Sequence, residues 1–219
     1  MKKSVAVLLV IVALSSVCVF ATNQFLRIEG NGSFDYDFTT DDRYARSGWG
    51  VSVFTGWEND DFCFSIEGAI CDSAIYTNLA YARYFNGLFA GGEFVVGAPV
   101  GYNGFNIGSM GFFGVRLAGI GKSWLELALA LNYNYMKNTD FDEAFSDMSL
   151  CLALEDYCPI SDSLTIICAS TIGHIPLFSK MYTDGKWESY TSKTVGLTLR
   201  VSLKYSFPAE GFKPHLKTK

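Results

Sequence analysis

The feature that most constrains this chain is the stretch from Thr194 to Phe207. Val195, Leu197, Leu199, Val201, Leu203, Tyr205 and Phe207 alternate without a slip with Thr194, Gly196, Thr198, Arg200, Ser202, Lys204 and Ser206. A period of two held this long is one β-strand with an apolar face and a polar face. Such a strand needs a sheet whose two sides meet different surroundings.

The same alternation recurs along the chain. Strands are predicted over Leu26–Phe38, Trp49–Trp57, Phe62–Ile70, Ile75–Phe85, Leu88–Ala98, Phe105–Leu117, Trp124–Met136, Asp147–Asp156 and Leu164–Ile172, with Thr194–Phe207 the tenth. Asn86-Gly87 joins the fourth and fifth, and this dipeptide suits a two-residue hairpin turn with positive φ. That turn predicts Phe85 opposite Leu88, Tyr81 opposite Gly92, Leu79 opposite Phe94 and Thr77 opposite Val96. The connections also alternate in length. Those at 39–48, 99–104, 137–146 and 173–193 equal or exceed most of those at 58–61, 86–87, 118–123 and 157–163, and the longest belong to the first set. Transmembrane barrels have short turns on the periplasmic side and longer loops outside. The short connection at 71–74 breaks the trend and keeps an eight-strand count open.

Alternation alone does not say which face is outside, because a soluble barrel turns its apolar face inward. Composition bears on this. Apolar residues make up 49 %, aromatics 16 % and charged residues only 18 %, whereas a soluble domain carries about a quarter charged. The polar faces hold mostly Gly, Ala, Ser and Asn with scattered charges, which suits a lumen better than a water-facing surface. Trp49 and Trp57 lie about 20 Å apart along a tilted strand, close to the roughly 25 Å between the aromatic girdles of a membrane barrel. The expected fold is therefore all-β: an antiparallel up-and-down transmembrane β-barrel of about 8–10 strands, ten favoured.

Met1 to Ala21 begins with Lys2 and Lys3, runs apolar from Val5 to Leu14 and ends Val19-Phe20-Ala21, the pattern of a cleaved secretory signal peptide. An uncleaved anchor would need roughly 20 apolar residues, and a lipid anchor on Cys18 would want a small residue where Val17 stands. The expected organisation is a signal peptide at 1–21, one barrel at 22–207 and a tail at 208–219. Five cysteines follow the leader. Cys63 and Cys71 lie about 26 Å apart on one strand and cannot bridge. Cys151 and Cys168 could bridge if Glu155 pairs with Leu164, and a slip of one residue would separate them.

Inside the barrel the predicted lining is Arg27, Glu29, Glu67, Glu93, Arg116, Glu126, Glu155, Arg200 and Lys204. Buried charges need partners. Closing the first strand on the last would bring Glu29 near Arg200 and Lys204, and Arg116 would face Glu126 across the 118–123 turn. On the outer loops, Phe141, Phe145, Phe178, Tyr182, Trp187 and Tyr190 form a candidate contact surface.

Catalysis has one candidate group, His174 with Ser179 and Asp184, and no matching motif supports it, so no catalytic residue is expected. Gly119-Ile120-Gly121-Lys122-Ser123 lacks the first glycine of a phosphate loop and is followed by a strand, so it is a turn. Asp140, Asp142, Glu143 and Asp147 lack calcium-loop spacing. No metal and no cofactor is expected, and a net charge of −5 excludes a nucleic-acid footprint.

The last strand, closing on Arg200, Tyr205 and Phe207, resembles that of small bacterial outer-membrane barrels of the OmpX/OmpW kind, whose closing signal is polar-x-Gly-x-x-aromatic-x-aromatic. Ser202 stands at the glycine position, and twelve residues follow Phe207. The resemblance implies residence in the outer membrane, contact with its lipid and delivery by the barrel-insertion machinery. Two functional classes follow as expectations. One is a narrow channel or passive transporter of small solutes; the other is a non-conducting structural or adhesin-like barrel that contacts host surface molecules. A soluble periplasmic ligand-binding barrel is a third.

Overall fold

The structure is a computed structural model that describes residues 23–37, 44–119, 121–190 and 194–208. The predicted signal peptide, the 38–43 connection and residues 209–219 of the tail lie outside the described residues. The strands are β1 (Asn23–Asp37), β2 (Tyr44–Glu58), β3 (Phe62–Cys71), β4 (Ala74–Phe85), β5 (Leu88–Pro99) and β6 (Gly104–Ala118). They continue with β7 (Trp124–Asn138), β8 (Glu143–Pro159), β9 (Leu164–Thr183), β10 (Lys186–Tyr190) and β11 (Thr194–Pro208). From β1 to β9 each strand pairs antiparallel with the next in the chain, β11 skips β10 to pair with β9 and returns to β1, and β9 therefore pairs with both β8 and β11. The result is a closed ring of ten strands, with β10 set beside the extended end of β9.

Polarity runs inside out. On β11, Leu199, Val201 and Leu203 are 49–61 % exposed, while Ser202 between them is 2 % exposed. The same holds for Val51 and Val53 around Ser52 and for Ile28 beside Glu29. An apolar outer band around a polar interior is the arrangement of a transmembrane barrel, where lipid takes the place of a protein core. No helix among the described residues is long and apolar enough to cross a membrane, and none is needed.

Turn chemistry and register agree as expected at the β4–β5 hairpin. Asn86 has φ 49° and Gly87 φ 85°, and Phe85–Leu88, Tyr81–Gly92, Leu79–Phe94 and Thr77–Val96 are all cross-strand partners. On β1 and β11, Leu26 faces Tyr205 and Glu29 faces Ser202; the pairing continues to Asn23 and Pro208, one residue beyond the predicted barrel boundary.

The largest departure lies at 173–193, predicted as a long connection. There β9 runs on to Thr183, turns at Asp184 (φ 52°) and Gly185 (φ 78°), and returns as β10. Asp-Gly is a strong hairpin dipeptide, and both faces of the preceding segment are apolar, which hides the period. Two bulges bend β9: His174 and Leu177 are extra residues relative to β8. Gly173 fits the bend because its φ is 155° and a Cβ there would lie 2.6 Å from Cys151 Cα. Pro176 sits between the two bulged residues, where a missing N–H is tolerated.

Candidate functional site

The period of two turns all nine predicted lining residues inward, and the register decides whom each meets. Arg116 takes Glu126, its cross-strand partner, through Nε and Nη2 at 2.8 and 2.6 Å. Arg200 reaches over β9, donating from Nη2 to Glu155 Oε1 at 3.0 Å, and Tyr157 donates to the other oxygen of Glu155 at 2.6 Å. Arg27 pairs with Glu29 and donates to Ser202, whose hydroxyl donates in turn to Glu29 at 2.8 Å.

Glu29 therefore does not take Arg200 or Lys204 as its ion-pair partner. Ser202 stands directly opposite it, placing the two bases a step to either side. Lys204 instead reaches over β1 to Glu58, which also accepts a hydrogen bond from Ser206. Glu58, expected in the 58–61 turn, is instead the last residue of β2 and faces in. Asn78 is a second addition. Its Nδ2 donates to both Glu67 at 3.2 Å and Glu93 at 3.1 Å.

Near the end that carries the termini, the lumen holds aromatic rings that the polar-face pattern did not suggest. Phe25, Phe89 and Phe112 each stand opposite a glycine on the next strand, Gly56, Gly114 and Gly91. A Cβ on any of the three would lie 2.4–2.6 Å from the ring it faces, so the rings lie flat over bare backbone. The visible signal was there: an inward aromatic facing an inward glycine across a strand pair is a packing unit. Phe89 contacts Tyr84 and Phe112 at centroid distances of 6.0 and 6.1 Å, and Trp124 stacks on Tyr157 at 4.8 Å. Bases cap the rings: Arg116 over Tyr84 at 4.1 Å, Lys204 over Phe25 at 4.6 Å and Arg27 over Phe54 at 4.9 Å. Among these side chains lies a cavity of about 330 Å³ that Asn78, Glu93, Arg116, Glu126, Glu155 and Arg200 help to line.

The opposite rim is built by strands rather than loops. Of the six predicted contact residues, only Phe141 sits in a turn, 73 % exposed. Phe145 is on β8, Phe178 and Tyr182 on β9, and Trp187 and Tyr190 on β10, because the 137–146 and 173–193 segments are largely paired. Trp187 packs on Tyr182 and Tyr135, and Tyr135 on Phe105, making a shelf across the outer face above Ala144 and Ser146. Asp140 accepts hydrogen bonds from the backbone N–H and side-chain amide of Asn103, both 2.8 Å, latching two outer turns together. Those bonds hold its carboxyl below the ordinary aspartate range. Asp142 pairs with Lys137, so these acids are engaged within the rim.

The remaining sequence candidates are kept apart. Ser179 is buried on β9 opposite Asp147, while Asp184 is at the exposed hairpin tip, about 16 Å along the strand. His174 occupies a bulge, and its side chain lies outside the described residues. Cys151 faces Gly173 and is buried, whereas Cys168 faces Asp156 and is exposed on the outer surface. The pairing needed for a bridge is absent, because Glu155 meets Ala169 rather than Leu164. Between β6 and β7 the Gly119 N–H donates to Ser123 O at 2.9 Å, and Gly121 and Lys122 lie in a turn.

No family model matches the sequence, and no curated protein matches it. Several solved structures are similar in fold. Neisserial surface protein A is 11 % identical over 84 % of this chain and 97 % of that one, with a TM-score of 0.42. The attachment invasion locus protein of Yersinia pestis is 13 % identical over 86 % and 100 %, with a TM-score of 0.38. An outer membrane channel from Pseudomonas putida F1 is 6 % identical over 85 % and 96 %, with a TM-score of 0.48. The barrel assignment itself rests on the closed sheet and its inverted polarity.

Proposed function

We propose that this outer-membrane barrel does its work at its extracellular rim and that its lumen is a packed polar core rather than an open pore. One observation carries the reading. Every strand of the ring contributes a buried residue that points inward, from Glu29 and Ser52 at 2 and 1 % exposure, through Glu67, Asn78 and Phe89, to Gly114, Ala130, Cys151, Ile167 and Ser202. Wall positions of a water-filled channel would be wetted. Here ion pairs and rings occupy most of the space in front of them, and a closed-in cavity of about 330 Å³ beside Asn78, Ala130 and Cys151 takes the rest. A lumen filled in this way stiffens the wall that supports the rim, where the Tyr182, Trp187 and Tyr135 shelf and the exposed Phe141 offer aromatic contact to outer-leaflet lipid or to another surface.

The second reading is a narrow conduit for small solutes. The cavity of about 330 Å³ within the lumen favours it, since parting the Arg200 and Arg116 ion pairs would open space on either side. Single-barrel conductance in planar bilayers separates the two. Purified protein whose unboiled band migrates apart from the boiled one on a denaturing gel should add no steady current over the bare bilayer. Resolved, reproducible conductance steps that change size in Glu126→Gln or Arg200→Met would sink the packed-core reading and establish the conduit.

A further inference from the structure

The upper edge of the apolar band can be located on β8 alone. Its outward face reads Asp156, Leu154, Leu152, Leu150, Met148 and Ser146, four apolar residues between two polar ones. Ten residues of tilted strand separate the polar ends and rise about 25 Å, the height of the lipid-facing band of a membrane barrel. Ser146 and its cross-strand partner on β9, Lys180, therefore stand where the acyl chains of the outer leaflet give way to headgroups.

Two hydrogen-bonded rows cross the wall at this end, from β7 to β10. The upper runs Lys137, Ala144, Tyr182 and Trp187, and the lower Tyr135, Ser146, Lys180 and Ser189. Cross-strand partners share a face, so both lysines stand on the outer surface with the aromatic shelf. Lys137 is answered from within the protein: it pairs with Asp142 and lies 5.3 Å from the centre of the Tyr182 ring. Lys180 is exposed, and its ammonium has no ion pair and no hydrogen bond among the described residues. Asp147 and Glu188, the acids close by on β8 and β10, fall on the other face. Ser146 donates to the Tyr133 phenol at 3.2 Å, which draws that hydroxyl beside the Lys180 row and leaves its own hydrogen to donate outward.

We propose that Lys180, with the Tyr133 hydroxyl, binds the phosphate of a phosphorylated glycolipid in the outer leaflet, whose sugar lies against the Tyr135, Tyr182 and Trp187 shelf. The inference rests on the rim reading above and deepens it: of the surfaces that the shelf could meet, it selects lipid and names the group that is held. Charge is sorted by height in a way that favours this source. Asp140, Asp142 and Asp184 crown the turns, while the uncompensated base sits below them on the wall. A soluble anion arriving from water meets the acids first, whereas a lipid phosphate comes to Lys180 from the side. Aromatic rings with polar tips are at home at that same boundary, and a base beside them attracts anionic headgroups.

The test uses the barrel refolded in detergent, shown to be folded by its gel mobility and mixed with lipid A carrying its phosphates or with the same lipid dephosphorylated. Native mass spectrometry counts the lipids retained per barrel. The wild type should hold one phosphorylated lipid in clear preference to the dephosphorylated form. Lys180→Gln should weaken that retention about fivefold, the worth of one base near an anionic membrane surface. Lys180→Arg should keep it, and Lys122→Gln, whose lysine pairs with Asp162 at the opposite end, should leave it unchanged. Equal retention of the two lipids by the wild type, or undiminished retention by Lys180→Gln, would overturn the site. Displacement of the lipid by inorganic phosphate would mark a site for free anions and overturn the lipid assignment. Conductance of the same preparations is read separately: current steps with the phosphate preference intact refute only the packed lumen, and a silent barrel without the preference refutes only this site.

Discussion

Replacing Gly114 by alanine puts a methyl group where the lumen is already full. A Cβ at that position would lie 2.4 Å from the Leu127 carbonyl oxygen and 2.4 Å from Phe89 Cζ. Neither neighbour yields readily, since the carbonyl belongs to the β6–β7 ladder and the ring is held against Tyr84 and Phe112. Overpacking of this kind costs about 1–3 kcal/mol, and a backbone obstacle pushes the value toward the upper end. Gly111, three residues earlier on the same strand, faces outward with nothing within 4 Å of a Cβ. Alanine there only restricts the unfolded chain, a gain of about 0.4–1 kcal/mol. The two substitutions should therefore differ by about 2–4 kcal/mol, with Gly114→Ala the less stable. Urea-dependent folding into phospholipid vesicles, read by tryptophan emission and gel mobility together, measures that difference. If the two variants agree within about 0.5 kcal/mol, the ordinary scatter of surface substitutions, the rings are not packed on the glycines and the filled-lumen reasoning is wrong.

Two further outcomes follow from the same geometry. Arg200→Met strands Glu155 without its base; both side chains keep some exposure, 25 and 20 %, so the loss should be about 2–3 kcal/mol, below the usual range for a broken buried pair. Adding Glu155→Gln should recover at least half of that loss in the same unfolding assay, and no recovery would mean the pair is not the reason. At the rim, the Asp140 carboxyl is held below its ordinary value of 3.8 by two bonds from Asn103. A depressed carboxyl stabilises the folded latch fully above that ordinary value and loses the contribution as pH falls through the lower folded value. Exchange of the Asn103 amide proton should accelerate across that acid window in the wild type and show no such step in Asp140→Asn; identical profiles would remove Asp140 from the latch.

How much was legible in the chain varies by element. The ten ring strands, their inverted polarity and the β4–β5 register were all readable, because alternation and turn chemistry are properties of neighbouring residues. Arg116 with Glu126 was readable too, since a short turn places them opposite each other. The Asp184-Gly185 hairpin carried a readable dipeptide, but apolar residues on both faces of β9 masked the alternation around it. The inward rings at Phe25, Phe89 and Phe112 sit on the same faces as the small residues, and only the pairing of each ring with a glycine marks them.

The sequence by itself determined which residues share a face, because a side-chain period of two is set locally by the pleat, and the low charge and small residues of the polar faces pointed the apolar faces outward. Which lumen groups meet was decided only by the closed tertiary structure. Glu29 took Arg27, Lys204 took Glu58, Arg200 took Glu155, and Glu67 and Glu93 were left to Asn78. The physical reason is that every pairing around the ring adds its own offset and each bulge on β9 adds another. The height at which a side chain enters the lumen is the accumulated result of all of them, so contacts across the barrel are fixed only when the last strand closes on the first.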